Sequence, residues 1–187
     1  MAFLIFFVVI AGVLFIMGVT VYNNLIGLSK QTDRAWSNID VILKQRNDEI
    51  SSLIQVVEQF AGYEKKIIDQ LSQARQHYGQ ASSVNEKIQA SQEISLALRG
   101  IMAIGENYPE LKSSEHFHQL QGRISSLEES LADRREVYNE SITNYNTRIL
   151  QLPDVFFANF LGYREKPLYQ VSEQEKQKPN LKMNLPL

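Results

Sequence analysis

The apolar positions of this chain follow two regimes. The opening stretch, MAFLIFFVVIAGVLFIMGVTVY, is apolar on every face, and the first charged side chain is Lys30. From Ala2 to Tyr22 it meets the roughly 20 apolar residues that a membrane-crossing helix needs. A cleavable leader would show a charged start and a small-x-small exit. No Lys or Arg precedes the run, and Gly18-Val19-Thr20 is a poor exit. A core helix of a soluble protein is rarely apolar all round over this length. The run therefore predicts an uncleaved membrane anchor.

After it the apolar residues step by threes and fours. Leu25, Leu28, Thr32, Ala35, Ile39, Ile42, Leu53, Val56, Phe60, Tyr63, Ile67 and Ala74 form a seven-residue repeat. Trp36, Leu43, Ile50, Val57, Leu71 and Tyr78 widen the stripe by one position. That period is helical. No proline interrupts Met1 to Tyr108, so anchor and first bundle helix are expected to be nearly continuous. Gly79 is the expected stop, and Ser83 or Asn85 the next N-cap. The second helix carries Ile88, Ile94, Leu98, Ile101 and Ile104 and ends near Tyr108, because Pro109 restricts the residue before it. Ser113 or Ser114 caps a third helix with the seam Phe117, Leu120, Ile124, Leu127, Leu131, Tyr138, Ile142, Tyr145, Ile149 and Leu152, closed by Pro153. DVFFANFLGYREKPLY reads as a short apolar helix ended by Gly162, and QVSEQEKQKPNLKMNLPL as a polar, disordered tail.

No stretch alternates as a half-buried strand would. Amphipathic helices joined by short loops bury their stripes against one another. The predicted fold is all-α: an N-terminal transmembrane helix, then an antiparallel, coiled-coil-like bundle of three long helices plus a short C-terminal helix. The expected division is an anchor over 1–22, a bundle over 23–169 and a tail over 170–187. Phe156, Phe157, Phe160 and Leu161 are expected to supply a fourth packing element, the alternative being that they dip into the membrane interface.

Composition then narrows the chemistry. Nineteen Lys and Arg against 21 Asp and Glu, a formal charge of −2, leave no basic footprint for nucleic acid. There is no cysteine, which removes disulfides, thiol catalysis and thiolate metal sites together. His116 and His118, two apart on a helix, face different ways and cannot easily chelate one metal, and His77 is distant in sequence. Glu128-Glu129 and Asp33 with Asp40 fall on polar faces, where solvated charge is the default. The glycines form no phosphate or dinucleotide loop. No catalytic residue, metal or cofactor is expected.

A polar layer interrupts the seams. Arg46 and Glu49 stand in the first helix; Arg134 and Arg135 precede Tyr138 and Asn139 in the third, with Tyr145 and Asn146 one heptad on. Polar groups facing a core need partners. One reading is a hydrogen-bonded layer that sets helix register. The other is a ligand-sensing or enzymatic site built from the same groups. No nucleophile or ligand set accompanies them, which favours the first. Trp36, the only tryptophan, flanks Thr32, Ala35 and Ile39 and reads as a packing residue whose indole N–H needs an acceptor at the rim.

Several of these stretches are familiar. YNNLIGL, DRAWSNIDVILKQRNDEI and FAGYEKKIIDQLSQAR resemble the first helix of the LemA family. YPELKSSEHFHQLQ, RREVYNESITNYNTRI and FANFLGYREKPLY resemble its later segments, in the same order, so the likeness runs from about Tyr22 to Tyr169. It implies a membrane anchor followed by an antiparallel helical bundle, and no enzymatic activity. A family member linked to organelle-like membrane compartments implies assembly or scaffolding at a membrane. The chain departs from the family at Glu49, Ser51 and Ser52, where an apolar residue, proline and asparagine are common.

The expected function is a non-catalytic scaffold or recruitment factor at a bacterial inner membrane. Its expected partners are the bilayer, through residues 2–22, and one or more proteins; self-association is compatible with the seams. Lys30 and Arg34 follow the span, so the positive-inside rule places the bundle in the cytoplasm.

Overall fold

The computed structural model describes residues 1–61 and 65–170. Tyr63 of the expected first seam, and the expected tail from Val171 on, lie outside the described residues. Every regular element among the described residues is helical: α1 (Ala2–Ala61), α2 (Lys65–Gln80), α3 (Val84–Asn107), α4 (Pro109–Lys112), α5 (Glu115–Leu150) and α6 (Asp154–Phe160).

The apolar run and the first amphipathic stretch are one helix, α1, as the absence of proline allows. Its buried positions are Val21, Leu25, Thr32, Ala35, Ile39, Leu43, Arg46, Ile50, Leu53 and Val57. These steps include two successive fours, from Ala35 to Ile39 to Leu43. The extra residue corrects the lag of a strict seven-residue repeat behind the 3.6-residue turn. The stripe therefore moves onto Leu43, Ile50 and Val57, while Ile42 and Val56 of the expected seam are only half-buried and Phe60 is exposed.

Helix ends follow local chemistry. Gly79 does not stop α2, which runs to Gln80 and closes with Ala81 N–H on the carbonyls of His77 and Tyr78. Ser83 caps α3: its Oγ accepts from Glu86 N–H at 3.2 Å, and Glu86 Oε2 accepts from the Ser82 and Ser83 N–H groups at 2.7 and 3.1 Å. This reciprocal box satisfies the otherwise unpaired first-turn donors. It also holds the Glu86 carboxyl below its usual range, chiefly through the Ser82 N–H and then that of Ser83. Ser114 caps α5, its Oγ accepting from Phe117 N–H at 3.4 Å. Gly162, at φ 76°, is the one residue with positive φ among those described, and it ends α6 with a conformation glycine adopts without strain.

The chain falls into two compact units. Unit one comprises Met1–Val41 and Leu131–Leu168. Its core cluster is Val21, Leu25, Tyr145, Ile149 and Ala158, with Leu28, Phe157 and Tyr163 packed against it. Of the four residues expected to form a fourth packing element, only Phe157 takes that role; Phe156, Phe160 and Leu161 are exposed, as is Leu152 from the third seam. Unit two comprises, among the described residues, those of Ile42–Ser130 together with Tyr169 and Gln170. Here α2 packs on α3, closely enough that a Cβ on Gly100 would meet Ile67 Cγ2 at 3.2 Å. Leu43, Ile50, Leu53, Val57, Leu71, Ile94, Ile101 and Leu111 are its most deeply buried apolar side chains among the described residues.

Candidate functional site

Among the described residues, each unit holds a polar assembly that joins several segments. In unit two it is centred on Arg46, which sits on the buried stripe of α1 and is fully enclosed. A guanidinium there needs acceptors for its donors. Ser91 and Ser95 of α3, four apart and therefore on one face, supply most of them. Arg46 Nη2 donates to the Ser91 carbonyl and to Ser91 Oγ, both at 2.7 Å. Nη1 donates to Ser95 Oγ at 3.0 Å and to Glu128 Oε1 of α5 at 2.5 Å. The pair is asymmetric: Arg46 is sealed, while the Glu128 side chain is 35% exposed. Tyr169, buried as well, donates its hydroxyl to Ser91 Oγ at 2.9 Å. Next to it, Gln92 Nε2 donates to the Gln170 carbonyl at 2.7 Å. The assembly therefore ties α1, α3, α5 and the returning chain through one cation. Glu49 lies at the edge of the unit, where its Oε1 accepts from Arg123 Nη1 at 3.4 Å.

In unit one the assembly holds a strap, residues 163–168, which has no regular structure of its own. The heptad-spaced Tyr138 and Tyr145 of α5 reach the buried side of the helix and donate to strap carbonyls. Tyr145 OH bonds Arg164 O at 2.9 Å, and Tyr138 OH bonds Pro167 O at 3.2 Å. Asn146 pairs with the Lys166 backbone at both ends: Nδ2 donates to its carbonyl and Oδ1 accepts from its N–H, each at 2.9 Å. The Lys166 ammonium then turns to α1, donating to Thr32 Oγ1 at 2.6 Å and Asp33 Oδ1 at 3.0 Å. It also stands 5.1 Å from the centroid of the Tyr145 ring, a cation–π contact. Burial, reinforced by the Asp33 carboxylate, pushes the Tyr138 phenol above its ordinary pKa range. Burial does the same for Tyr145, with Tyr163 and Asp33 nearby. Both therefore stay neutral donors at physiological pH. Trp36 is half-buried, its ring edge-on to Tyr138 at 5.7 Å between centroids.

The six residues of the expected polar layer are thus divided: Arg46 and Glu49 belong to unit two, and Arg134, Arg135, Tyr138 and Asn139 to unit one. Arg134 is exposed, while Arg135 and Asn139 are half-buried. Sequence reasoning did not single out Ser91, Ser95 or Tyr169 and treated Glu128 as solvated. Two serines in place of apolar residues between Ile88 and Leu98 were the available signal for the Arg46 acceptors. Nothing periodic marks Lys166.

These features define a class: an all-α chain whose first helix is long and apolar enough to cross a membrane and continues directly into an amphipathic helix. A family model described as the LemA family matches residues 35–183, and the chain belongs to that family. Magnetosome protein MamQ 2 of Paramagnetospirillum magneticum is 23% identical, the match covering 80% of this chain and 64% of the relative. Magnetosome protein MamQ of Magnetospirillum gryphiswaldense is 22% identical over 76% of this chain and 62% of its own length. Protein LemA of Metamycoplasma hominis is 25% identical, with 93% of this chain and 80% of the relative covered. The chain spans under two thirds of the length of the magnetosome relatives it matches.

Proposed function

We propose that this protein is a non-catalytic scaffold, held in a bacterial inner membrane by residues 2–22 and presenting helical surface for the recruitment or assembly of other proteins. The observation that carries this reading is the continuity of α1, in which the apolar run passes into a bundle helix without a break. A flexible tether would let an enzyme domain roam; a continuous helix holds its surface at a set height above the bilayer. The polar assemblies support the same reading, because Arg46 and Lys166 are engaged with protein acceptors and tie segments together. Relatives named as magnetosome proteins are in keeping with an assembly role.

Lys30 and Arg34 after the span favour a cytoplasmic bundle. A reporter enzyme active only outside the cytoplasm, fused after Leu187, should give no signal; strong activity would reverse the orientation. For the scaffold itself, full-length protein solubilised in mild detergent should bring down a reproducible set of partners, lost when everything after Tyr22 is deleted. Extracts that contain the chain alone would refute the recruitment role.

A further inference from the structure

Helix α6 is built the wrong way round for water. Its buried positions are Asp154, 1% exposed, and Ala158, 2% exposed, four apart on one face. Phe156 and Phe160, also four apart, are 70% and 88% exposed. A helix on a soluble protein turns its aromatic rings inward and its carboxylate outward. Here Asp154 is turned inward to pair with Arg148 of α5 and Phe157 packs on the core, while Phe156 and Phe160 stay outside.

The place of α6 says what covers that face. Phe157 lies against α1 at Gly18, where an added Cβ would meet its Cε1 at 3.3 Å. An apolar groove there is lined by Leu14, Phe15 and Val19 from α1 and by Phe157, Phe160 and Leu161 from the α6 segment. Gly18 lies four residues inside the apolar run, about 6 Å along the helix from Tyr22 at 1.5 Å per residue. The short helix therefore runs beside the end of the apolar run, not beyond it. At that level the run's own Phe15 and Ile16 are 73% and 67% exposed, so the bare aromatic face of α6 continues a bare apolar face of α1.

We propose that α6 is an interfacial wedge, inserting Phe156 and Phe160 into the lipid of the leaflet from which α1 emerges. Aromatic side chains are favoured in that zone, and a short helix lying in the interface plane can bury one face there without crossing the bilayer. The inference rests on the reading of residues 2–22 as a span, and it adds a second membrane contact more than a hundred residues away in sequence.

The test exploits a chain without cysteine. Single cysteines replace Phe160, Phe15 and the exposed Glu129 in the full-length protein. Each is labelled with an environment-sensitive nitrobenzoxadiazole probe and reconstituted into phosphatidylcholine–phosphatidylglycerol vesicles, with and without brominated acyl chains. Circular dichroism matching the parent confirms that each labelled protein is folded; Phe160 is nearly bare, so its replacement removes little packing. Probes at 160 and 15 should be blue-shifted and should lose intensity in brominated vesicles, while the probe at 129 responds to neither. Quenching at 15 but not at 160 overturns the wedge and leaves the span intact. A probe at 160 that is blue-shifted but indifferent to bromine means that protein, such as a second copy, covers α6, and this also overturns the proposal. Absence of quenching at both positions overturns the span and the wedge together.

Discussion

The Arg46 assembly makes a quantitative prediction about Glu128→Ala. The substitution removes an anionic partner of a fully enclosed guanidinium and its 2.5 Å hydrogen bond. A hydrogen bond to a charged group contributes about 1.5–3 kcal/mol, and stranding a buried charge costs roughly 3–5 kcal/mol. Two features reduce the loss. The serine acceptors remain, and the Glu128 side chain is 35% exposed, so water can enter the vacated position. The net expectation is about 2–3 kcal/mol of destabilisation, or a melting temperature lower by roughly 5–10 °C for a chain of this size. Arg46→Met/Glu128→Leu removes both charges and retains volume. Ser95 can then donate to the Ser91 carbonyl, already 3.2 Å away, so the double variant should lie within about 1 kcal/mol of the parent. Thermal unfolding of the full chain in detergent, followed by circular dichroism at 222 nm, measures both. A Glu128→Ala protein that melts with the parent, or a double variant that melts below it, would refute the argument.

Three further outcomes are expected. Because the folded pKa values of Tyr138 and Tyr145 are raised, their contribution to strap binding is fully present below the ordinary phenol range, near pH 10, and is lost as pH rises through the folded values. Absorbance at 295 nm should show tyrosine ionisation extending above the ordinary phenol range, and Tyr138→Phe/Tyr145→Phe should diminish that late phase. Trp36→Ala should cost about 1–2 kcal/mol, below the 3–5 of a fully buried ring, since the indole is only half-buried and meets Tyr138 edge-on. Ser83→Ala should destabilise by about 1 kcal/mol in the same melting assay. The depressed pKa of Glu86 means that its capping contribution is present above the ordinary carboxylate range and fades as pH falls through the folded value; Glu86→Gln should remove this acid dependence.

The helices were legible because each has to present a stripe at its own period, and proline or serine marks most of their ends. On α1 the expected stripe held both phases, Ile42 and Val56 on one and Leu43, Ile50 and Val57 on the other, and burial selects the second. A seven-residue template follows Ile39 to Ile42, whereas the helix needs a second step of four to keep facing its core, and that step selects Leu43. Gly79 misled because glycine permits a stop without imposing one, and the closing bonds lie one residue later. The polar layer was half visible. Arg46 and Tyr138 stand in apolar stripes, and such an intrusion is detectable from sequence alone. Their partners are not periodic with them: Ser91 and Ser95 are too small to break a pattern, and Lys166 lies in a strap with no pattern. Pairing across 45 to 134 positions is set by tertiary folding, and single-sequence periodicity carries no information about it.

The strap has a consequence for the order in which the protein forms. Lys166 meets Thr32 across 134 positions. At a synthesis rate of about 5–20 residues per second, α1 waits on the order of ten seconds for this partner. Only in the last part of that interval do Tyr138, Tyr145 and Asn146 exist without the strap they bond, 29, 19 and 20 positions before their partners. Contacts so distant in sequence also carry the largest loop-closure entropy, so this clasp closes late. Unit one is therefore completed long after the apolar run has been synthesised, and the clasp cannot close on a chain translated short of Pro167. A nascent chain stopped short of the strap would expose unsatisfied phenol and amide groups on α5, which distinguishes an unfinished protein from a finished one.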